Sequence, residues 1–376
     1  MSKMTTLTKT AKLFSRIVKS VAPPPKITVS EWADMYRKLS PENSAEPGQW
    51  RTDRAPYQRE IMDAVTDPQV EKIVVMTSSQ VGKSEILNNI IGYYIDVDPA
   101  PILLIQPTIE IAQDYSKRRI TPMVKDTEVL SGKVADSKTR DLNNTILMKV
   151  FPGGFLAMGG ANSPAGLASR PIRILLCDEV DRYPSSAGGE GDPISLAEKR
   201  TITFWNRKKI FTSTPTIRGA SRIEAEYEFG TREKYCVRCP KCGNYHFIVL
   251  RDIRFTHRCE EIAGKKTYIV EDIRWRCPDC GGEFDEYTMK RQPAEWIAEN
   301  PAAIANGIRS FHLNSFVSPW HSWKEIIKEF LESKNDPERF KVFVNTILGE
   351  SWEERGDIED ETVLMSRREK YEAEVP

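Results

Sequence analysis

Two short stretches carry residue types that could handle a triphosphate. Residues 72–85 read KIVVMTSSQVGKSE: an apolar run, a turn of small polar residues, then Gly82-Lys83-Ser84 opening a helix. Consecutive backbone amides at a helix N-terminus curl around phosphate oxygens; the lysine would reach the β- and γ-phosphates and the serine hydroxyl would ligate Mg²⁺. Thr77 stands where the usual pattern, G-x-x-x-x-G-K-[ST], has its first glycine. Alone, this stretch reads equally well as an ordinary strand–turn–helix with a surface lysine. The second stretch, RILLCDEVD at 173–181, is an apolar run ending in adjacent acids. A buried parallel strand would deliver Asp178 to a Mg²⁺ shell and Glu179 to an attacking water. Its bland alternative is a strand followed by a solvated acidic turn. Two complementary half-motifs in the right order favour a nucleoside triphosphatase.

A different metal chemistry is written into the cysteines. The chain has seven, and Cys236, Cys239, Cys242, Cys259, Cys277 and Cys280 fall between positions 236 and 280. Cys239-Pro-Lys-Cys242-Gly and Cys277-Pro-Asp-Cys280-Gly form two C-P-x-C-G knuckles. Four thiolates make a closed tetrahedral structural Zn²⁺ site, with no open position for catalysis. Cys236 offers a rival C-x₂-C pairing with Cys239. Cys259, His246 and His257 read as bystanders, and Cys177, inside the second stretch, as core. Clustering of this kind in a large chain favours metal ligation over a disulfide scaffold.

The elements that must position these groups follow from periodicity. SEILNNIIGYYI after the loop predicts an amphipathic helix, ILLIQPT at 102–108 a buried strand, and ILMKVFPGG with FLAMGGAN a hairpin or paired strands. KKIFTSTPT at 208–216 predicts a strand that ends in Ser213-Thr214, where a γ-phosphate sensor would sit. PISLAEKRTITFW predicts a helix, as does EWADMYRKL with Ser30 as its N-cap. Alternation from 72 to 216 predicts a doubly wound, mostly parallel sheet with helices on both faces. YHFIVL and KTYIV predict a hairpin arm between the knuckles, and WKEIIKEFLESK a further helix. Tyr57-Gln58, just upstream of the phosphate loop, could stack on and hydrogen-bond adenine, or simply start the helix YQREIMDAV.

Composition bounds the rest. A chain of 376 residues with 40% hydrophobic and 29% charged residues is long enough for two or three globular domains. Its 54 basic and 54 acidic residues cancel, so any nucleic-acid surface must be local. No stretch is apolar enough to span a membrane, and no secretory signal is present. Residues 1–30 carry Lys3, Lys9, Lys12, Arg16, Lys19 and Lys26 without an acid: a basic helix or a tail.

The sequence resembles the large subunit of tailed-phage DNA-packaging terminases of the lambda-like class. The resembling segments are SEWADMYR, PGQWRTDRAPYQREIMDA, SSQVGKSE, GGANSPAGLASRPIRILLCDEVDRYP, GDPISLAEKRT, FTSTPT, the two knuckles and VNTILGESWEE. They cover most of residues 30–356 in family order. The resemblance implies a P-loop ATPase of the ASCE type, with Thr77, Ser78, Ser79, Gln80, Val81, Gly82, Lys83 and Ser84 as a deviant Walker A loop. It further implies Asp178 and Glu179 as Walker B and catalytic glutamate, Gln58 as adenine reader, and Ser213-Thr214-Pro215 as coupling motif. Gln80 stands where many relatives carry an arginine, so another must neutralise charge: Arg170 first, then Arg200 and Arg119. ATP, Mg²⁺ and Zn²⁺ are the implied cofactors. Double-stranded DNA, a small terminase subunit, a portal protein and further copies in a ring are the implied partners, in the host cytoplasm. The expected division is a basic arm and helix (1–50), the ATPase core (51–235), a zinc ribbon (236–285), a subdomain completing the ATPase (286–356) and a linker (357–376). No nuclease activity is expected of this chain. A superfamily-2-like helicase and a non-catalytic zinc-ribbon scaffold are the rival readings.

Overall fold

Apolar runs too short for a helix, each ending in a polar residue, make the central layer of the molecule. The computed structural model describes residues 14, 26–42, 44–134, 144–163, 170–262 and 265–354. Most of the basic N-terminal arm and the expected linker lie outside them. The described strands are β1 (Lys38–Leu39), β2 (Gly48–Gln49), β3 (Lys72–Thr77), β4 (Pro101–Gln106), β5 (Met148–Phe151), β6 (Gly154–Gly160), β7 (Ile174–Asp178), β8 (Lys208–Ser213), β9 (Glu233–Arg238), β10 (Tyr245–His246), β11 (Ile253–Ile262), β12 (Lys265–Arg276), β13 (Glu283–Phe284), β14 (Ala294–Ala298) and β15 (Ile308–Leu313).

Ten of them form one sheet in the order β10-β9-β15-β3-β8-β7-β4-β6-β5, with β14 also on β9. The neighbours from β9 to β6 run parallel, and β10, β14 and β5 are antiparallel additions. The fold is therefore mixed α/β with a mostly parallel central sheet. Alternate residues of β3 feed two core layers: Ile73 and Val75 enter one, Val74 and Met76 the other. A strand covered on both faces needs this continuous apolar texture.

Helix α1 (Val29–Tyr36) and helix α2 (Gln58–Asp63) pack beside α3 (Lys83–Asp96). The cap of α1 is Thr28, in a capping box with Glu31, and not the expected Ser30. Ser30 lies inside the first turn, giving its amide and hydroxyl to Asp63. The α1–α3 contact rests on Trp32, fully buried, whose Nε1 donates to Asp96 Oδ2 at 2.8 Å. Its ring lies over Gly92: a Cβ there would fall 2.1 Å from Trp32 Cη2. We expect Gly92→Ala to destabilise the chain by about 1–3 kcal/mol through overpacking. An unchanged thermal midpoint would refute this seating of the indole.

The other expected elements differ mainly in length. PISLAEKRTITFW gives an α-helix only over Pro193–Glu198, followed by a 3₁₀ turn at Lys199–Thr201. The hairpin arm is β11–β12, so KTYIV lies in it, whereas only Tyr245 and His246 of YHFIVL are in a strand. A separate core joins the cysteine region to the C-terminal helices α4 (Trp323–Ser333) and α5 (Pro337–Phe343). It contains Cys239, Cys277, Trp275, Phe316, Trp323, Ile326, Phe343 and Ile347.

Candidate functional site

The loop between β3 and α3 is held open by its neighbours. Gly82 has φ +89° and Gln80 φ +58°, whereas Thr77 has no positive φ. Thr77 ends β3 in register with Leu313, so regular strand geometry removes the need for a glycine there. A Cβ on Gly82 would meet Gln58 Nε2 at 2.2 Å, so glycine is required both by conformation and by space. Among the described residues, the amides of Gln80, Gly82, Lys83 and Ser84 donate to no acceptor. Unpaired amides at the start of a 14-residue helix form an anion-binding concavity.

Lys83 and the acids come together as the spacing requires. Lys83 Nζ donates to Thr214 Oγ1 at 2.6 Å and to the Ser78 carbonyl at 3.4 Å, and lies 3.7 Å from Glu179 Oε1. Burial lowers the pKa of this ammonium below its ordinary value, while Glu179 and Asp178 pull the other way. Asp178 is 4% exposed and accepts from Thr212 Oγ1 at 2.7 Å and from Gln106 Nε2 at 3.1 Å. Glu179 follows in the left-handed region at φ +54°. A non-glycine residue held there costs about 1–3 kcal/mol, and such strain clusters at functional sites. The turn lets both carboxylates line one cleft of about 660 Å³ with Ser84, Gln106, Tyr115, Arg118 and Arg119. Beyond the acids, Ser213 Oγ accepts from the Asp181 amide at 3.3 Å, and Asp181 Oδ2 accepts from Thr216 Oγ1 at 2.8 Å.

Other expected residues sit elsewhere. Gln58 lies behind the loop, 1% exposed, its Nε2 donating to the Val81 carbonyl at 2.9 Å and its Oε1 buried without a partner. Ser78 and Ser79 turn their amides away from the cleft, to the carbonyls of Leu313 and Thr346. Arg170 is exposed over the Phe155 ring, 5.5 Å from its centroid, and is not gathered with Lys83. Phe155 is paired with Pro101 at the start of β4, so Arg170 sits at the N-terminal edge of the sheet. Five residues of strand, roughly 16 Å, separate that level from the acids. Arg200 is at the same edge, its carbonyl accepting from the Ile172 amide. Of the three arginines, Arg119 alone reaches the cleft, on a π-helical turn (Ser116–Ile120), with Nη1 3.0 Å from Glu85 Oε1.

Sequence reasoning passed over Thr212, Arg37 and Glu85. Thr212 lies in β8 two residues before Thr214, and that spacing was a usable signal. The buried Arg37 takes Glu85 Oε2 at 3.0 Å, so one carboxylate on the first turn of α3 carries two guanidinium groups.

The four knuckle thiols form a second centre. Their Sγ atoms all lie within 4.8 Å of one another, with Cys239–Cys280 and Cys242–Cys277 both at 3.8 Å. Four sulfurs at about 2.3 Å from one ion are about 3.8 Å apart in a tetrahedron, so the set fits zinc. Gly243 and Gly281, with φ +81° and +66°, follow Cys242 and Cys280 and make the knuckle turns. Burial opposes ionisation of the Cys239 thiol, but the amides of Cys242 and Lys241 lower it to about 7. Cys236 lies apart in β9 opposite Glu295, and burial pushes its thiol up to about 11. His246 is nearer than a bystander, with Nε2 3.5 Å from Cys277 Sγ and 3.4 Å from Asp279 Oδ2.

A mostly parallel α/β sheet with an open-amide loop, a buried lysine and an acid pair on its C-terminal edge defines the class of protein by its layout. Within that class the chain belongs to the family of the phage terminase large subunit gpA ATPase domain, whose model matches residues 44–296. The endonuclease-domain model of the same gpA subunit matches residues 308–376. The chain is 28% identical to the terminase large subunit of Enterobacteria phage P21 over 373 residues, and 28% identical to that of Escherichia phage lambda over 380. These matches cover 94% and 96% of this chain; it spans 57% and 58% of the length of those two relatives. Among solved structures it is similar to the Thermus phage P74-26 large terminase ATPase domain (16% identity, TM-score 0.44, covering 80% of this chain and 96% of that one). It is also similar to the large terminase of another thermophilic bacteriophage in complex with ADP (18% identity, TM-score 0.33, covering 43% of this chain and 39% of that one).

Proposed function

We propose that the chain is the ATP-hydrolysing motor portion of a phage terminase, which drives double-stranded DNA into a procapsid. The observation that carries this reading is the run of unpartnered amides at Gln80, Gly82, Lys83 and Ser84, beside a cleft whose other wall is Asp178 and Glu179. The β- and γ-phosphates would take those amides and Lys83 Nζ. Ser84 and Asp178 would hold Mg²⁺, which when bound neutralises charge on the phosphate oxygens. Glu179 orients the attacking water and receives its proton. Lys83 leaves Thr214 when phosphate arrives and returns when it departs. Ser213, Asp181 and Thr216 carry that exchange toward the DNA-gripping surface. Gln58 shapes the loop from behind, and its buried Oε1 would meet an adenine amino group only if the side chain turned out from behind the loop. The insertion of β8 between β3 and β7 supports an ASCE-type core.

In this reading residues 51–235 and 286–356 make the ATPase, since β15 lies beside β3 in its sheet although the endonuclease-domain model matches from 308, and 236–285 a ribbon held by Zn²⁺ on Cys239, Cys242, Cys277 and Cys280. The small terminase subunit and portal protein are the proposed partners, a ring of copies the active form, and the host cytoplasm its setting. No nuclease activity is assigned to this chain.

The deciding experiment is Mg²⁺-ATP turnover by the full chain with and without duplex DNA. Absence of turnover would end the motor reading, and strand separation on a forked duplex would favour a helicase. Arg170, remote from its own loop, can act only on a neighbour's nucleotide, while Arg119 acts within its own subunit. We therefore expect mixtures of Arg170→Ala and Glu179→Gln chains to regain turnover that each lacks alone. Mixtures of Arg119→Ala and Glu179→Gln should not.

A further inference from the structure

One segment far along the chain grips the phosphate loop from behind. The Thr346 carbonyl accepts from both the Ser79 amide, at 2.8 Å, and Ser79 Oγ, at 3.1 Å. The Leu313 carbonyl accepts from the Ser78 amide at 2.9 Å. Thr346 lies in a π-helical turn, Val344–Leu348, that Gly349 ends at φ +67°. Gly349 is pressed against the loop so closely that a Cβ would meet Ser78 N at 2.6 Å, Leu313 O at 2.9 Å and Thr77 C at 3.0 Å. All three obstacles are backbone, which cannot swing aside.

The same segment also holds the residues after the coupling motif. Asn345 Nδ2 donates to the Thr216 carbonyl at 2.9 Å, and the Trp352 amide donates to that same carbonyl at 2.8 Å. The Trp352 carbonyl in turn accepts from the Arg218 amide at 2.9 Å, and Ile217 and Trp352 form a parallel bridge. A closed circuit results: Ser79 to Thr346, along the strap to Thr216, back through Thr214 Oγ1 to Lys83, and so to the loop again.

We propose that residues 344–352 form a positioning strap that holds the phosphate loop in its anion-accepting shape and ties it to the segment following Ser213-Thr214. The inference rests on the nucleotide reading above, and names positioning residues that touch no nucleotide themselves. The first half of the loop spends its amides on the strap and Leu313, which leaves those from Gln80 to Ser84 facing outward. A loosened strap would free Ser78 and Ser79 to collapse the concavity. Binding should suffer more than the chemical step, because Asp178, held by Thr212 and Gln106 at the end of β7, and Glu179 after it make no hydrogen bond to the strap.

The test uses Gly349→Ala in the full chain, with Gly189→Ala as the control. Gly189 has φ +88° and nothing within 4 Å of where a Cβ would stand, so its substitution brings the same backbone strain without the collision. We expect Gly349→Ala to raise the KM for ATP, and the Kd of a fluorescent ATP analogue, at least about tenfold, with kcat falling less than about threefold. The control should leave both near parental. Asn345→Leu, which cuts the strap's far anchor without crowding the loop, should raise KM in the same direction by a smaller factor. Should Gly349→Ala fail to fold, as judged by circular dichroism and zinc content, the Asn345→Leu result decides. Parental KM in a folded Gly349→Ala chain, or a fall confined to kcat, would overturn the strap. A parental chain that binds no nucleotide would instead refute the function proposed above.

Discussion

We expect Glu179→Gln chains to bind ATP with parental affinity and to lose turnover by about 10²–10⁴, the range that a positioned general base contributes. The geometry sets this expectation. Glu179 Oε1 stands 3.7 Å from Lys83 Nζ and Oε2 3.6 Å from Arg182 Nε, while Asp178 beside it is already occupied by Thr212 and Gln106. Of the two acids, Glu179 is the one able to turn toward a water. Glutamine keeps the size and one acceptor oxygen but cannot take a proton at neutral pH, and removing a negative charge from a phosphate cleft does not weaken binding. Single-turnover phosphate release together with a nucleotide titration checks both halves. Turnover at the parental rate would take Glu179 out of the chemistry.

Chelating the metal, or replacing Cys239 with serine, should cost more than the ribbon alone. Structural zinc contributes roughly 10–16 kcal/mol of apparent binding energy in small zinc-finger peptides, comparable to the whole stability of a typical domain. A ribbon with a core of its own would melt by itself and spare the chemistry. The packing argues otherwise: Cys239, Cys277 and Trp275 share one apolar core with Trp323, Phe343 and Ile347, and Ile347 lies on the strap. We expect a fall of more than about 10 °C in the thermal midpoint, equivalent to about 3–5 kcal/mol in a unit of this size. A loss of nucleotide affinity should accompany it. Metal analysis and a melting curve recorded with and without chelator are sufficient. An unchanged melt, with no zinc in the purified chain, would dismiss the four-thiolate centre.

The parts of this molecule that were legible in its sequence are those where side-chain identity does the positioning. The runs ending at Thr77, Gln106, Asp178 and Ser213 are apolar because both faces of β3, β4, β7 and β8 are covered, and their last residues are polar because they reach the C-terminal edge of the sheet. Lys83, Asp178, Glu179 and Thr214 follow from that pattern. Strand β15, IRSFHL, hid its nature because its polar residues are satisfied only in the folded state. Arg309 pairs with Glu233, and Ser310 Oγ donates to the Tyr227 carbonyl. Thr346 and Leu313 were invisible for a different reason. They serve the loop through main-chain carbonyls, which every residue type carries. The order Arg170, Arg200, Arg119 had no positional basis in the sequence, since basic residues near a motif look alike until the sheet assigns each to an edge.

The hydrogen bond between Ser79 and Thr346 closes over 267 residues of chain. Synthesis of that interval takes on the order of 10–50 s at ribosomal speeds. For most of it β3 has β8 on one flank at best and, on the other, a bare row of amides and carbonyls waiting for β15. A nascent chain in that condition presents an adhesive margin of the kind that recruits stray strands. The order in which this sheet is assembled thus leaves that margin of β3 open until translation has passed β15.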